Sequence, residues 1–166
     1  MAELPLTADS EIARLVDQFD RAYAGDAWHG MPVRDLLDDV DATLAAARPV
    51  VGAHTIWELV AHITYWLDAA ERRVGGEAVD PVHDEDWPAM PAPTKAAWTA
   101  TRTALASSHD RLVAAVRRLR PEDLAGPVPG HPYSVYVLLH GVLQHTLYHA
   151  GQIGLLRGAA RRAAGP

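Results

Sequence analysis

The chain contains no cysteine. Disulfide scaffolds, thiolate nucleophiles and cysteine-ligated zinc are therefore excluded. It has one phenylalanine, and alanine and leucine dominate its apolar set. That mix favours helices, because these side chains lose little entropy on a helix while β-branched ones lose more. A basic excess is also missing. The formal charge is −6 with histidines neutral, the reverse of a phosphate-binding surface, so nucleic acid is not expected as a partner. Two short basic clusters do occur, Arg117, Arg118 and Arg120, then Arg157, Arg161 and Arg162. Both fall near expected helix C-termini, where cations offset the helix dipole. No uninterrupted apolar stretch is long enough to span a bilayer. The first residues, MAELPLTADSEIARL, lack the basic-then-apolar order of a signal peptide. A soluble cytoplasmic protein with no membrane partner is expected.

What is present is an ordinary globular composition, with 49% hydrophobic and 22% charged residues over 166 positions. That length suffices for one core, so residues 1–166 are expected to form a single domain. Ile12, Leu15, Val16 and Phe19 recur at helical spacing and predict a first helix from Asp9 or Ser10 to Ala24, stopped by Gly25. A second, shorter helix is expected from Pro32 through VRDLLDDVDATLAAA, ending near Arg48 because Pro49 cannot donate to the ladder. Thr55 and Glu58 form a capping box before a run in which Ile56, Leu59, Val60, Ile63, Leu67, Ala70 and Val74 trace one stripe. Gly75 and Gly76 should close that helix. A long loop, GGEAVDPVHDEDWPAMPAP, follows, and loops of this length inside a compact domain are often functional. Thr94 is the expected N-cap of a further helix that stops before Pro121. Ser134 caps the last helix, which should end near Gly158 before a frayed tail. The whole predicts an all-α fold, a four-helix bundle with an extra short helix and a long loop between helices three and four.

Nine histidines stand out. His145 and His149 are four residues apart, so they lie about 40° apart on one helix face, one turn above the other. Leu138, Val142, Ile153 and Leu156 fall within about 80° of His145. Both rings therefore sit in the apolar stripe, where burial without partners is costly. A shared metal ion removes that cost. His62, mid-helix beside Leu59 and Trp66, is the natural third ligand from a facing helix, although a lone core histidine is more often simply hydrogen-bonded. Three neutral imidazoles suit zinc, nickel, iron or copper and leave positions open for water or substrate. Gln152, one turn past His149, is placed to orient a ligand. Asp86 and Trp87 in the long loop are candidates to roof the site, and Tyr148 beside the ligand stripe is a candidate proton donor. His140 lies about 140° from His145 and is excluded as a ligand. His29, His54, His83, His109 and His131 are expected in loops or on the surface without partners. Gly151 and Gly154 are expected to permit close helix approach.

Three blocks, PVVGAHTIWELVAHITYW, DEDWPAMPAPTKAAW and HGVLQHTLYHAGQIGLLR, resemble those of the DinB-like family in the same order. The quoted blocks lie between Pro49 and Arg157, and the resemblance as a whole runs from about Trp28 to Arg157. The first resembles the family's Pro-rich lead, capped hydrophobic helix and mid-helix histidine. The last resembles its His-x-x-x-His-x-Gly-Gln-Ile signature. The resemblance implies a four-helix bundle, often a homodimer, with one divalent transition metal held by His62, His145 and His149. Zinc or nickel comes first among the candidates, then iron or manganese. Outward Tyr136, Val137 and Leu147 are compatible with a dimer.

No Ser-His-Asp order, phosphate-cradling glycine loop or dinucleotide fingerprint is present, so any chemistry must come from the metal. The resemblance implies a transferase that activates a low-molecular-weight thiol for attack on a small electrophile, as its bacillithiol and mycothiol S-transferases do. Arg157 or Arg21 is a candidate to hold the thiol's carboxylates. A metal-dependent hydrolase is the alternative, but the carboxylates nearest in sequence, Glu58 and Asp68, are poorly aimed. A stress-linked protein in which the metal only clamps the bundle is the non-catalytic alternative.

Overall fold

Helix formation follows the apolar periodicity. In the computed structural model, which describes residues 8–163, the chain forms α1 (Ala8–Ala24), α2 (Val33–Leu37), α3 (Ala42–Ala46), α4 (Ile56–Val74), α5 (His83–Asp86), α6 (Lys95–Arg117) and α7 (Val135–Ala163). A short 3-10 helix, Pro121–Ala125, connects α6 to α7. Among the described residues there is no strand, only an isolated bridge between Pro127 and Ser134. The all-α bundle is as expected. α4 packs against α6 and α7, and α1 packs against the same two, so the four long helices form a ring with α1 and α4 diagonal. Leu15 and Phe19 of α1, Trp57 and Ile63 of α4, Leu105 and Leu112 of α6, and Leu139 and Ile153 of α7 fill its centre. No helix of the described residues is long and apolar enough to cross a membrane.

α4, which carries His62, is made at both ends as its sequence dictates. The Thr55 hydroxyl accepts from the Glu58 N–H at 3.1 Å, and the Glu58 carboxylate accepts from the Thr55 N–H at 2.7 Å. At the other end Gly76 takes φ 92°, a conformation that a Cβ would strain. Its N–H reaches Arg73 O at 3.0 Å and that of Glu77 reaches Arg72 O at 3.1 Å, the paired bonds of a Schellman stop.

The expected second helix is instead two, α2 and α3. Asp41 interrupts it by taking extended backbone and accepting the Leu44 N–H on its own carboxylate at 2.8 Å. In a continuous helix that N–H would bond the Val40 carbonyl. The freed Val40 oxygen takes the indole N–H of Trp98 at 2.6 Å instead, which ties α6 to this turn. The long loop also holds a helix of its own, α5, so the short α-helices among the described residues are three.

The last helix passes Gly158 and runs to Ala163. Arg157 binds Asp39 with two bonds of 2.7 and 2.6 Å, and Arg161 pairs with the same carboxylate. These anchors hold the final turns, so the tail expected to fray is helical as far as it is described. Residues 164–166 lie outside the described residues, as do residues 1–7, on which much of the signal-peptide reading rests. Gly151 and Gly154 of α7 do not enforce close approach. A Cβ on Gly154 would make an ordinary 3.5 Å contact with Leu36, and one on Gly151 would meet open space.

Candidate metal centre

α4 and α7 lie side by side, and their inward histidines meet. Nε2 of His145 stands 2.9 Å from Nε2 of His62 and 3.0 Å from Nε2 of His149. His62 and His149 are buried and His145 is partly so. The outer nitrogens differ. His62 Nδ1 donates to the Asp86 carbonyl at 3.3 Å, and the Asp86 carboxylate lies 2.6 Å from the same nitrogen. His149 Nδ1 donates to the Gln152 side-chain oxygen at 2.6 Å. His145 Nδ1 is buried with no hydrogen-bond partner.

These partners set the tautomers. With their protons on Nδ1, His62 and His149 turn bare Nε2 lone pairs toward each other. His145 has at most one Nε2 proton to offer between them, so the three nitrogens cannot satisfy one another. A cation that accepts all three lone pairs resolves the conflict. Nitrogens sharing one zinc-sized ion at about 2.0–2.1 Å stand roughly 3.3 Å apart, a few tenths of an ångström wider than the distances found. The three residues could therefore hold a metal ion. Electrostatics agree, because metal binding needs neutral rings. Burial lowers the pKa of His62 despite the Asp86 carboxylate, and lowers that of His149 despite Gln152. Burial, then the neighbouring His149 and His62, push His145 down to about 3.

The family model of the DinB superfamily matches residues 27–153, a span that includes all three histidines. The chain belongs to the DinB superfamily. No curated protein and no solved structure gives a significant match.

In this DinB-superfamily chain the histidine cluster is not sealed. A cavity of about 420 Å³ runs between α4 and α7 and is lined by His62, His145, Asp86, Trp66 and Arg73 together with apolar residues of α7. Trp87 stacks on His62 with ring centres 3.9 Å apart and on His54 at 3.7 Å. The long loop thus covers the cluster with both of the residues expected to roof it. Trp66 presents its edge to His145 at 5.8 Å. Tyr148 touches His149 edge-on but is 66% exposed and does not line the cavity, which removes it from the place a proton donor needs.

Several expectations are corrected here. Arg157 is committed to Asp39 and Arg21 to Asp17, so neither reaches the site. The cation at the cavity is Arg73, which sequence reasoning missed. A signal for it existed, since positions 62, 66 and 73 share one face of α4 at helical spacing. The carboxylate at the cluster is Asp86, while Glu58 is used in capping and Asp68 pairs with Arg111. His109 is not a surface residue. It is buried on α6, 3.3 Å from Asp20, and stacks on Tyr23. Buried Leu105, Leu112, Val113 and Val116 flank it at helical spacing, so its place in the stripe was readable. His54 has Trp87, and His131 donates to Val79 O at 3.0 Å. The side chain of His83 lies outside the described residues. His140 faces Glu11 at 3.6 Å, away from the cluster.

Proposed function

We propose that this chain is a metal-dependent enzyme of the DinB superfamily that activates a low-molecular-weight thiol for attack on a small electrophile. His62, His145 and His149 hold one divalent transition metal, zinc or nickel ahead of iron or manganese, as three borderline imidazole donors favour. One observation carries the reading: the cavity of about 420 Å³ opens directly onto His62 and His145. When bound, a divalent ion lowers the pKa of a thiol or water so that the anion is available near neutral pH. Asp86 and Gln152 keep the protons of His62 and His149 on Nδ1 and aim Nε2 inward. Trp66 and Trp87 shield the cluster from bulk water. In the transfer a sulfur–carbon bond forms, the electrophile's leaving group departs with the bonding pair, and the thiol proton passes to solvent.

Hydrolysis is the second reading, and Asp86 is the observation that favours it, since its carboxylate lines the same cavity. Its position 2.6 Å from His62 Nδ1 suits it better to orienting the ring than to serving as a free base. A purely structural clamp has no use for an open cavity beside its ligands. The test is elemental analysis of the purified protein combined with turnover. Wild type should carry one ion and conjugate a thiol to an electrophile, while His149→Ala loses both and keeps its helical circular dichroism. Turnover of esters or amides without thiol would transfer the site to the hydrolase reading.

A homodimer belongs to the same proposal. On α7, Val137, Gly141, Gln144, Tyr148, Gly151 and Leu155 fall within about 40° of one line, and all are exposed. Leu147 is partly buried against the core and contributes less than expected. Exposed glycines in mid-helix cost stability on their own, a cost that close packing of a second α7 offsets. Sedimentation should give a dimer for wild type and a monomer for Gly151→Arg.

A further inference from the structure

We propose that Arg73 is the anchor for a carboxylate, and that the cavity takes a small organic acid whose charged end meets Arg73 and whose body reaches toward the histidine cluster. This deepens the thiol-transfer reading, because it names the class of molecule that the site accepts.

Arg73 is 3% exposed, and no carboxylate lies within ion-pair distance of it among the described residues. Its partners are neutral. Nε and Nη2 donate to the Val79 carbonyl at 3.1 and 2.7 Å, and Nη1 reaches the Tyr133 hydroxyl at 3.3 Å. The Val79 oxygen also receives His131 at 3.0 Å, so that acceptor is crowded. A guanidinium has five N–H donors, and these contacts leave part of the fork unused. The guanidinium carbon lies 5.5 Å from the Trp66 ring centre, a cation–π contact that tempers the charge without neutralising it. The neighbouring Arg72 shows the ordinary arrangement, exposed and paired with Glu77 at 2.9 Å. A buried cation without a counter-charge is costly, and a planar carboxylate is the anion that the fork matches best.

The cavity ties this cation to the cluster. Arg73 and His62 both line it, eleven residues apart on α4, which is about 16 Å along the helix axis. Trp66, Val137, Leu138 and Val142 form the wall between them. Asp86, the carboxylate in the lining, is paired with His62. Among the described residues the cavity therefore offers one positive group without a carboxylate partner at one end, an apolar middle, and the histidines with the His62-bound Asp86 at the other end. An amphiphilic monocarboxylate fits that order.

Hexanoate and its uncharged isostere hexanamide provide the direct test, with binding to the metal-loaded protein followed by calorimetry. Hexanoate should bind wild type about tenfold more tightly than hexanamide. Arg73→Gln should lose that preference, and Arg73→Lys should keep part of it. A purely structural Arg73 leaves the preference unchanged. If Arg73→Gln does not fold, Val137→Trp fills the cavity while leaving Arg73 in place, and it should abolish hexanoate binding with metal content retained. Equal affinity for acid and amide in wild type, or hexanoate binding that survives Val137→Trp, overturns the proposal. In turnover, KM for 3-mercaptopropionate against 2-mercaptoethanol, and for iodoacetate against iodoacetamide, shows whether thiol or electrophile carries the acid. A KM in Arg73→Gln that rises for neither acid also counts against the anchor. Thiol transfer can fail while hexanoate still binds through Arg73, and the reverse, so the two proposals stand or fall separately.

Discussion

His145 is the histidine of the cluster with nothing on its outer nitrogen, and burial, then the neighbouring His149 and His62, push its pKa down to about 3. Its ring is held by packing, with Trp66 edge-on at 5.8 Å. His62 and His149 are held by Asp86 and Gln152. Groups in that outer position fix ring orientation and raise ligand basicity, and their loss costs about 10–100-fold in metal affinity. Asp86→Ala and Gln152→Ala should each weaken zinc binding within that range in competition with a chromophoric chelator. Unchanged affinity in both variants would mean that packing alone aims the rings. How far these residues could be read from sequence follows from where they sit. The His145–His149 pair was legible because a helix converts spacing into direction, and Gln152 for the same reason. Asp86 reaches His62 from the last residue of α5, a single turn too short for a period to say which way a side chain points, so only its candidacy was readable and not its partner. His109 and Arg73 carried a helical signal that polar identity obscured.

The elements divide along the same line. α4 was legible from end to end because both of its stops are local chemistry, a Thr-x-x-Glu box and a Gly-Gly pair. Thr55 is 4% exposed, and its hydroxyl satisfies the Glu58 N–H. Thr55→Ala should cost about 1 kcal/mol, seen as a fall of a few degrees in Tm, with metal affinity little changed because His62 lies two turns away. A loss of metal binding equal to that of the Asp86 variant would show that the cap positions the site as well as the helix. The break between α2 and α3 was not legible in this way. Asp41 competes as an N-cap within a run that also supports a helix, and the outcome depends on Trp98, distant in sequence, taking the Val40 carbonyl. Gly158 misled for the converse reason. A glycine that would end an isolated helix does not end one whose next turn is tied to Asp39 by Arg157 and Arg161.

Taken as a molecule, the bundle holds four inward histidines neutral. Burial lowers the pKa of His62, His109, His145 and His149 below 6.5, against the opposing pull of Asp86 at His62, Asp20 at His109 and Gln152 at His149. The unfolded chain takes up protons at these positions near 6.5 while the folded chain does not. Stability from this source is therefore complete above 6.5 and is lost as pH falls from there toward the folded values, a window that for His145 extends down to about 3. One such group has a ceiling of about 1.4 kcal/mol per pH unit, and solvent in the open cavity screens His145 below that limit. For chelator-treated protein the urea midpoint should fall between about pH 7 and about pH 5, and His145→Gln should flatten the slope by removing one coupled proton. Zinc adds a second linkage, because it binds the folded cluster in the same neutral form that acid removes. Zinc-loaded protein should hold its midpoint to lower pH than the chelated form, and His145→Gln should narrow that gap. Identical pH profiles for the loaded and chelated proteins would place the ion outside the histidine cluster, whatever the elemental analysis finds.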